Sequence, residues 1–245
     1  MTRARRLASV AVVASLAVTG LSACRSEPSV AAYVGDDKRI TESQVQKLWD
    51  EVQDAAAPPA GEAAGQPAAV SITRTDIVRT LVSVDVLSEV AKAQSVGLPA
   101  DLSLPDYANQ LKLPETVEYV RLYATSDTLV RLLRAKAQSA PAPSDDDLKE
   151  VYDVLVANQG IDPGTSFDTF KTSLPAENKQ LVQTSAAVRD QIEEATGKLD
   201  ITVNPRYQPL SISVLEFQTQ NGALRPLVVA PLGESDETSP VIDAR

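Results

Sequence analysis

The sequence predicts a mainly α-helical domain with a little strand at its two ends. Three observations carry this: apolar stripes at helical spacing, cap residues at their starts, and Pro/Gly stops between them. Ala31–Val34 reads as a short strand, Gly35-Asp36-Asp37 as a turn and Arg39-Ile40 as a return strand. Thr41 with Gln44 three residues on is a capping-box pattern, and Val45, Leu48, Trp49 and Val52 form the stripe of the helix it opens. The segment from about 55 to 70 is an Ala/Pro/Gly stretch with no periodicity and reads as a disordered loop. Thr73 or Thr75 caps a second helix running to about Val96, with Gly97 as its stop. Its apolar residues, Ile77 to Val90, cover more than one face, which predicts a central helix.

Pro99, Pro105 and Pro114 bound a short helix around Tyr107–Leu111. Glu115–Gln138 is a long helix with Tyr119, Leu122, Tyr123, Leu129, Val130, Leu133 and Ala137 at helical spacing, stopped by the Ala-Pro-Ala-Pro run at 140–143. Ser144 caps the next helix, and Asp145, Asp146 and Asp147 in its first turn suit the positive end of the helix dipole. Leu148, Val151, Tyr152 and Leu155 form its stripe as far as Gly160. A last helix from about Ala176 carries Leu181, Val188, Ile192, Ala195 and Leu199. Leu199–Val203 turns into a strand that should pair with Ala31–Val34. Ile212–Phe217 and Ala223–Val229, around Asn221-Gly222, read as a C-terminal hairpin.

Composition excludes much chemistry. The 245 residues include no histidine and one cysteine, with 23 Lys+Arg against 33 Asp+Glu. Without histidine there is no imidazole base, Ser-His-Asp triad or His-ligated metal, and one cysteine allows no internal disulfide. A net charge of −10 argues against nucleic acid as a partner. No Gly-x-x-x-x-Gly-Lys-Ser/Thr loop is present, so no nucleotide is expected. Glu193-Glu194 diverge by about 100° on a helix and cannot converge on one atom. Asp145–Asp147 lacks the Gly and terminal Glu of a calcium loop. Neither catalytic residues nor a metal site nor a cofactor is expected.

Met1–Arg6 carries three arginines and no acid, Leu7–Val18 is nearly all apolar, and Leu21-Ser22-Ala23-Cys24 follows. This is a secretory signal, too short for the roughly 20 residues of a membrane span. Its end resembles the bacterial lipoprotein lipobox. The resemblance implies cleavage between Ala23 and Cys24 and a diacylglyceryl group, with a further N-acyl group, on Cys24. An ordinary signal peptide with an incidental cysteine is the competing reading. Loss of residues 1–23 removes Arg3, Arg5 and Arg6 and no acid, taking the net charge from −10 to −13. Such a domain is repelled by anionic lipid, so acyl chains, at about 0.8 kcal/mol per buried CH₂, must hold it at a membrane. The domains expected are a signal peptide (1–23), a tether (24–30), a helical domain (31–207) and a C-terminal extension (208–245). Ala, Val and Arg usage points to a high-GC source, and so to the extracytoplasmic face of the plasma membrane.

The order of elements over 31–207 resembles the N-terminal chaperone domain of SurA-type and PrsA-type secretion foldases. The resemblance rests on Ala31-Ala32-Tyr33-Val34-Gly35, Ile40-Thr41-Glu42-Ser43-Gln44-Val45, Pro143-Ser144-Asp145-Asp146-Asp147-Leu148 through Tyr152, and the strand at 199–207. It implies ATP-independent, holdase-like binding of unfolded exported polypeptides. The parvulin prolyl isomerase domain that commonly follows the Tyr-bearing helix is missing, and its active site relies on histidines that this chain lacks. Leu102, Leu104, Tyr107, Leu111, Leu113, Tyr119 and Tyr123 are the candidate lining of an apolar peptide-binding groove; ordinary helix-packing core is the competing assignment. The alternative function is an envelope interaction lipoprotein that docks one folded partner. A holdase should present a deep apolar groove, a dedicated adaptor a flatter patch with an aromatic or Arg centre.

Overall fold

The computed structural model describes residues 27–56 and 71–233. Cys24, the cleavage position and most of the expected 55–70 loop lie outside them. The elements are β1 (Val30–Val34), β2 (Lys38–Thr41), α1 (Glu42–Ala56), α2 (Arg74–Ala93), α3 (Leu104–Leu111), α4 (Glu118–Lys136), α5 (Asp145–Ala157), α6 (Phe167–Ser173), α7 (Ala176–Lys198), β3 (Ile201–Val203), β4 (Leu210–Gln218) and β5 (Leu224–Leu232). The fold is mainly helical with a few small antiparallel strands. No helix among the described residues is long and apolar enough to cross a membrane.

One three-stranded sheet, ordered β2-β1-β3, joins the two ends of the helical body. β3 pairs antiparallel with β1, Ala32 opposite Val203 and Val34 opposite Ile201, as the sequence predicts. All five residues of β1 are buried, and Ala31 and Ala32 leave room for α2 to pack against it. The closure is reinforced outside the strands. Asn204 donates its N–H to Ala31 O (2.9 Å) and its side-chain amide to Val30 O (3.2 Å). Tyr207 Oη donates to Glu42 Oε2 at 2.7 Å, and Arg206 Nη2 lies 3.2 Å from Glu42 Oε1 and donates to Pro28 O. Residues separated by more than 160 positions are thus fastened around the start of β1.

α2 is the central helix, touching α1, α4, α7, β1 and β4. Ile77, Val78, Val82, Val86 and Leu87 are fully buried along it. Thr73 forms a reciprocal capping box with Asp76, and Ser144 forms one with Asp147 at the start of α5. Asp147 also pairs with Arg189 of α7 at 2.8 Å, which locks α5 to α7. Burial alone would raise the Asp147 pKa, but bonds from Ser144 and Arg189 hold it below the usual carboxylate range. With only ten aromatic side chains, the core is mostly Val, Leu, Ile and Ala. The rings gather in two places: Tyr107, Tyr119 and Tyr123 on α3 and α4, and Tyr152, Phe167 and Phe170 on α5 and α6.

Several boundaries differ from expectation. α2 stops at Ala93, and Ser95 (φ 54°), not Gly97, takes the left-handed position. Val96 N–H then reaches Ala91 O and Ser95 N–H reaches Lys92 O, a Schellman end. α3 and α5 end the same way, with Lys112 and Gln159 at positive φ. α4 begins at Glu118 rather than Glu115, because Val117 N–H turns back to Pro114 O. In α7 the buried stripe runs through Val182, Ser185 and Ala186, while Leu181 is exposed. Ser185 is admitted to the core because its hydroxyl bonds Leu181 O. α6 is a separate seven-residue helix, capped by Ser166, ahead of α7.

The hairpin is not an appendage. β4 and β5 pair antiparallel around a turn in which Asn221 Oδ1 accepts from Thr219 Oγ1 and the Ala223 N–H, and Gly222 adopts φ 83°. Leu210, Ile212, Val214, Val228, Ala230 and Leu232 belong to the same core as the helices, so the folded unit extends past the expected boundary at 207. Gly160 sits beneath the hairpin: a Cβ there would stand 2.8 Å from Leu155 Cδ2 and 3.0 Å from Phe217 Cε2. Gly160→Ala is expected to lower stability by about 1 kcal/mol through overpacking. Gln159→Gly, which relieves the left-handed backbone, should raise it by about 0.5 kcal/mol. Urea unfolding of both variants checks this, and a stabilised Gly160→Ala would contradict the packing.

Candidate functional site

Tyr107, Leu113 and Tyr119 are buried, at 9%, 4% and 3% exposure, and Leu102, Leu104, Leu111 and Tyr123 are half-buried. The expected apolar groove along these seven residues is therefore corrected: three of them are core, since α3 folds down onto α4. Tyr107 donates to Asp127 Oδ2 at 2.6 Å and accepts from Arg131 Nη2 at 2.7 Å. This pins α3 and leaves its apolar face covered. Trp49 is half-buried beneath the Arg74 guanidinium, 3.9 Å from the ring centroid. Large apolar side chains exposed among the described residues are Leu98 in the α2–α3 loop, Leu181 on α7 and Leu224 on β5.

Among the described residues, one concavity of about 370 Å³ lies between the end of α5 and the β4–β5 turn, and two others adjoin α4 or the turn before it. The larger, about 930 Å³, is an open trough between α1 and the turn before α4. Its acids are Glu42, Asp50, Glu51 and Asp54, and Glu51 is already engaged as the acceptor for Glu118 N–H at 3.0 Å. No three Asp, Glu, His or Cys among the described residues converge as metal ligands.

The second, about 360 Å³, lies between α2, α4 and β4. α2 contributes Asp76, Arg79, Thr80 and Ser83, and α4 contributes one face from Tyr119 to Arg134. From the third side come all six consecutive residues Ser211–Glu216. A strand that turned only one face to the cleft would contribute every second residue; six in a row means that its edge is presented. Tyr119 and Tyr123 are the two sequence-nominated residues that this cleft brings together.

The register defines that edge. Ser211 is opposite Pro231 and Glu216 is opposite Pro226. Proline has no N–H, so neither can be a hydrogen-bonded pair. Ser211, Ser213 and Glu216 therefore direct their backbone groups away from β5, whereas Ile212 bonds to it. The outer edge of β5 is blunted by the same two prolines and packs against α7 and α5. The edge of β4 carries no proline and pairs with no other strand among the described residues.

Charges in the cleft are mostly matched. Arg79 pairs with Asp76, and Arg131 Nε with Asp127 Oδ2 at 3.0 Å. Arg134 is the exception. Its Nε is buried without a hydrogen-bond partner among the described residues, and burial pulls its pKa below the usual guanidinium value. The Tyr123 phenol is pushed up to about 12, chiefly by burial and then by the carboxylates of Glu216 and Asp127. Sequence reasoning missed Arg134 and the β4 edge. The prolines at 226 and 231 were the available signal for which strand edge is blunted.

The Tyr123 shift has a sign that can be tested. In the unfolded chain a phenol ionises near pH 10, while the folded chain keeps its proton to about 12. Between these values the unfolded state has lost a proton that the native state holds, so stability falls as pH rises. Tyr123→Phe should show a shallower loss of stability between pH 10 and 12 in urea titrations than the parent chain. An identical slope would contradict the buried phenol. No protein-family model, curated protein or solved structure matches this chain.

Proposed function

We propose that the chain is a lipid-anchored protein of the cell envelope that binds extended polypeptide without ATP, in the manner of a holdase. The observation that carries this reading is the cleft between α2, α4 and the unpaired edge of β4. A strand edge recognises main-chain groups that every polypeptide has, so it supplies the sequence tolerance that an apolar groove would otherwise give. The antiparallel pairing of β3 with β1 supports the likeness to the SurA-type domain. The anchor is Cys24, four residues from Pro28, where Arg206 holds the start of the described chain. On this reading the domain sits close to the extracytoplasmic face of the plasma membrane. No catalytic role, and in particular no prolyl isomerisation, is part of the proposal.

A second reading, docking of one folded envelope partner, is favoured by a different feature. The cleft is centred on Arg and Tyr side chains, and exposed large apolar residues are few and scattered. Aggregation suppression by the full chain in detergent, with a chemically unfolded client of unrelated sequence, separates the two. The holdase reading expects suppression at stoichiometric ratio; its absence at excess would leave the single-partner reading. Cys24→Ser should abolish incorporation of labelled fatty acid and release the protein from the membrane fraction. Retention of label would contradict the anchor.

A further inference from the structure

The cleft joins two unsatisfied features that do not usually occur together. One is a row of strand backbone groups, at Ser211, Ser213 and Glu216, directed away from the partner strand. The other is the Arg134 guanidinium, whose Nε is enclosed without an acceptor. A buried, unpaired guanidinium nitrogen costs free energy, and Arg134 is one of the residues that line this cleft. Asp127 acts on Arg134 through space but does not bond its Nε, and its Oδ2 already accepts from Tyr107 and Arg131. Glu216 is solvent-exposed, and its field acts on Tyr123 rather than on Arg134.

From this we infer that the cleft takes an extended polypeptide segment bearing a carboxylate, which adds as a strand to β4 and sets its carboxylate on Arg134. The inference rests on the polypeptide-binding reading above and specifies its ligand. Strand addition fits the exposed edge, where Ser211 and Ser213 have small side chains that leave the backbone approachable. A carboxylate fits a single unpaired guanidinium in both charge and fork geometry. The carboxylate can belong to a chain terminus or to an Asp or Glu side chain.

The test uses the full chain in detergent and fluorescence anisotropy with labelled eight-residue Val/Thr peptides. One ends in a free carboxylate, one is amidated with an internal Asp, and one is amidated and neutral. A fourth repeats the best binder with alternate backbone nitrogens methylated. A carboxylate peptide should bind about tenfold more tightly than the neutral one. Arg134→Gln should remove that preference and Arg134→Lys should restore part of it, while N-methylation should abolish binding. The free-terminus and internal-Asp peptides tell the two carboxylate sources apart. If Arg134→Gln does not fold, the preference of the parent chain among the four peptides still decides. Equal binding of neutral and carboxylate peptides would overturn the assignment to Arg134 and leave the polypeptide-binding reading standing. Undiminished binding of the methylated peptide would overturn strand addition, and no binding by any peptide would overturn both.

Discussion

The rest of the structure depends on the pairing of β3 with β1. It joins residues about 170 positions apart in the chain, and loop closure on that scale costs free energy that local contacts cannot offset. The cost is met by a bundle of interactions rather than by the strands alone: Asn204 on the backbone of Val30 and Ala31, and Tyr207 and Arg206 on Glu42. Because only six residues lie between the end of β3 and the start of β4 at Leu210, this closure also fixes where the hairpin meets the helices. The cleft between α2, α4 and β4 is a consequence of the closure.

That dependence explains how the described residues come to form a defined cleft. The cleft contains no nucleophile–base pair and no set of convergent metal ligands. It offers backbone groups and one guanidinium whose Nε has no hydrogen-bond partner among the described residues. Tyr107, Asp127 and Arg131 form a bonded cluster that holds α3 on α4. The side chains expected to form an apolar groove therefore stabilise the wall of a polar one.

Much of the fold was legible in the residues. Thr73 and Ser144 announced their helices because a side-chain oxygen facing the free N–H groups of a first turn is a local event. The crowded apolar faces of α2 marked it as central, and the short runs at 31–34 and 199–203, each bounded by turn residues, marked the closing strands. What escaped had physical reasons. Ser95, Lys112 and Gln159 end helices in the left-handed conformation because the Schellman hydrogen bonds outweigh the strain, so glycine was a misleading marker. Ser185 bonds its own helix, Thr184 does the same, and both are buried where polarity suggested surface. The site itself was least legible. Tyr119 and Tyr123 were nominated for their spacing on one helix, but Arg134 became significant only when tertiary packing set it opposite β4 with its Nε unbonded.

The central claim is that β4 keeps an open edge in the free chain, and amide hydrogen exchange tests it most directly. Ser211 and Ser213 should exchange nearly as fast as an unstructured peptide, while Ile212 between them, bonded to β5, stays protected. Equal, strong protection at all three positions would show that the edge is already occupied, and would contradict the account.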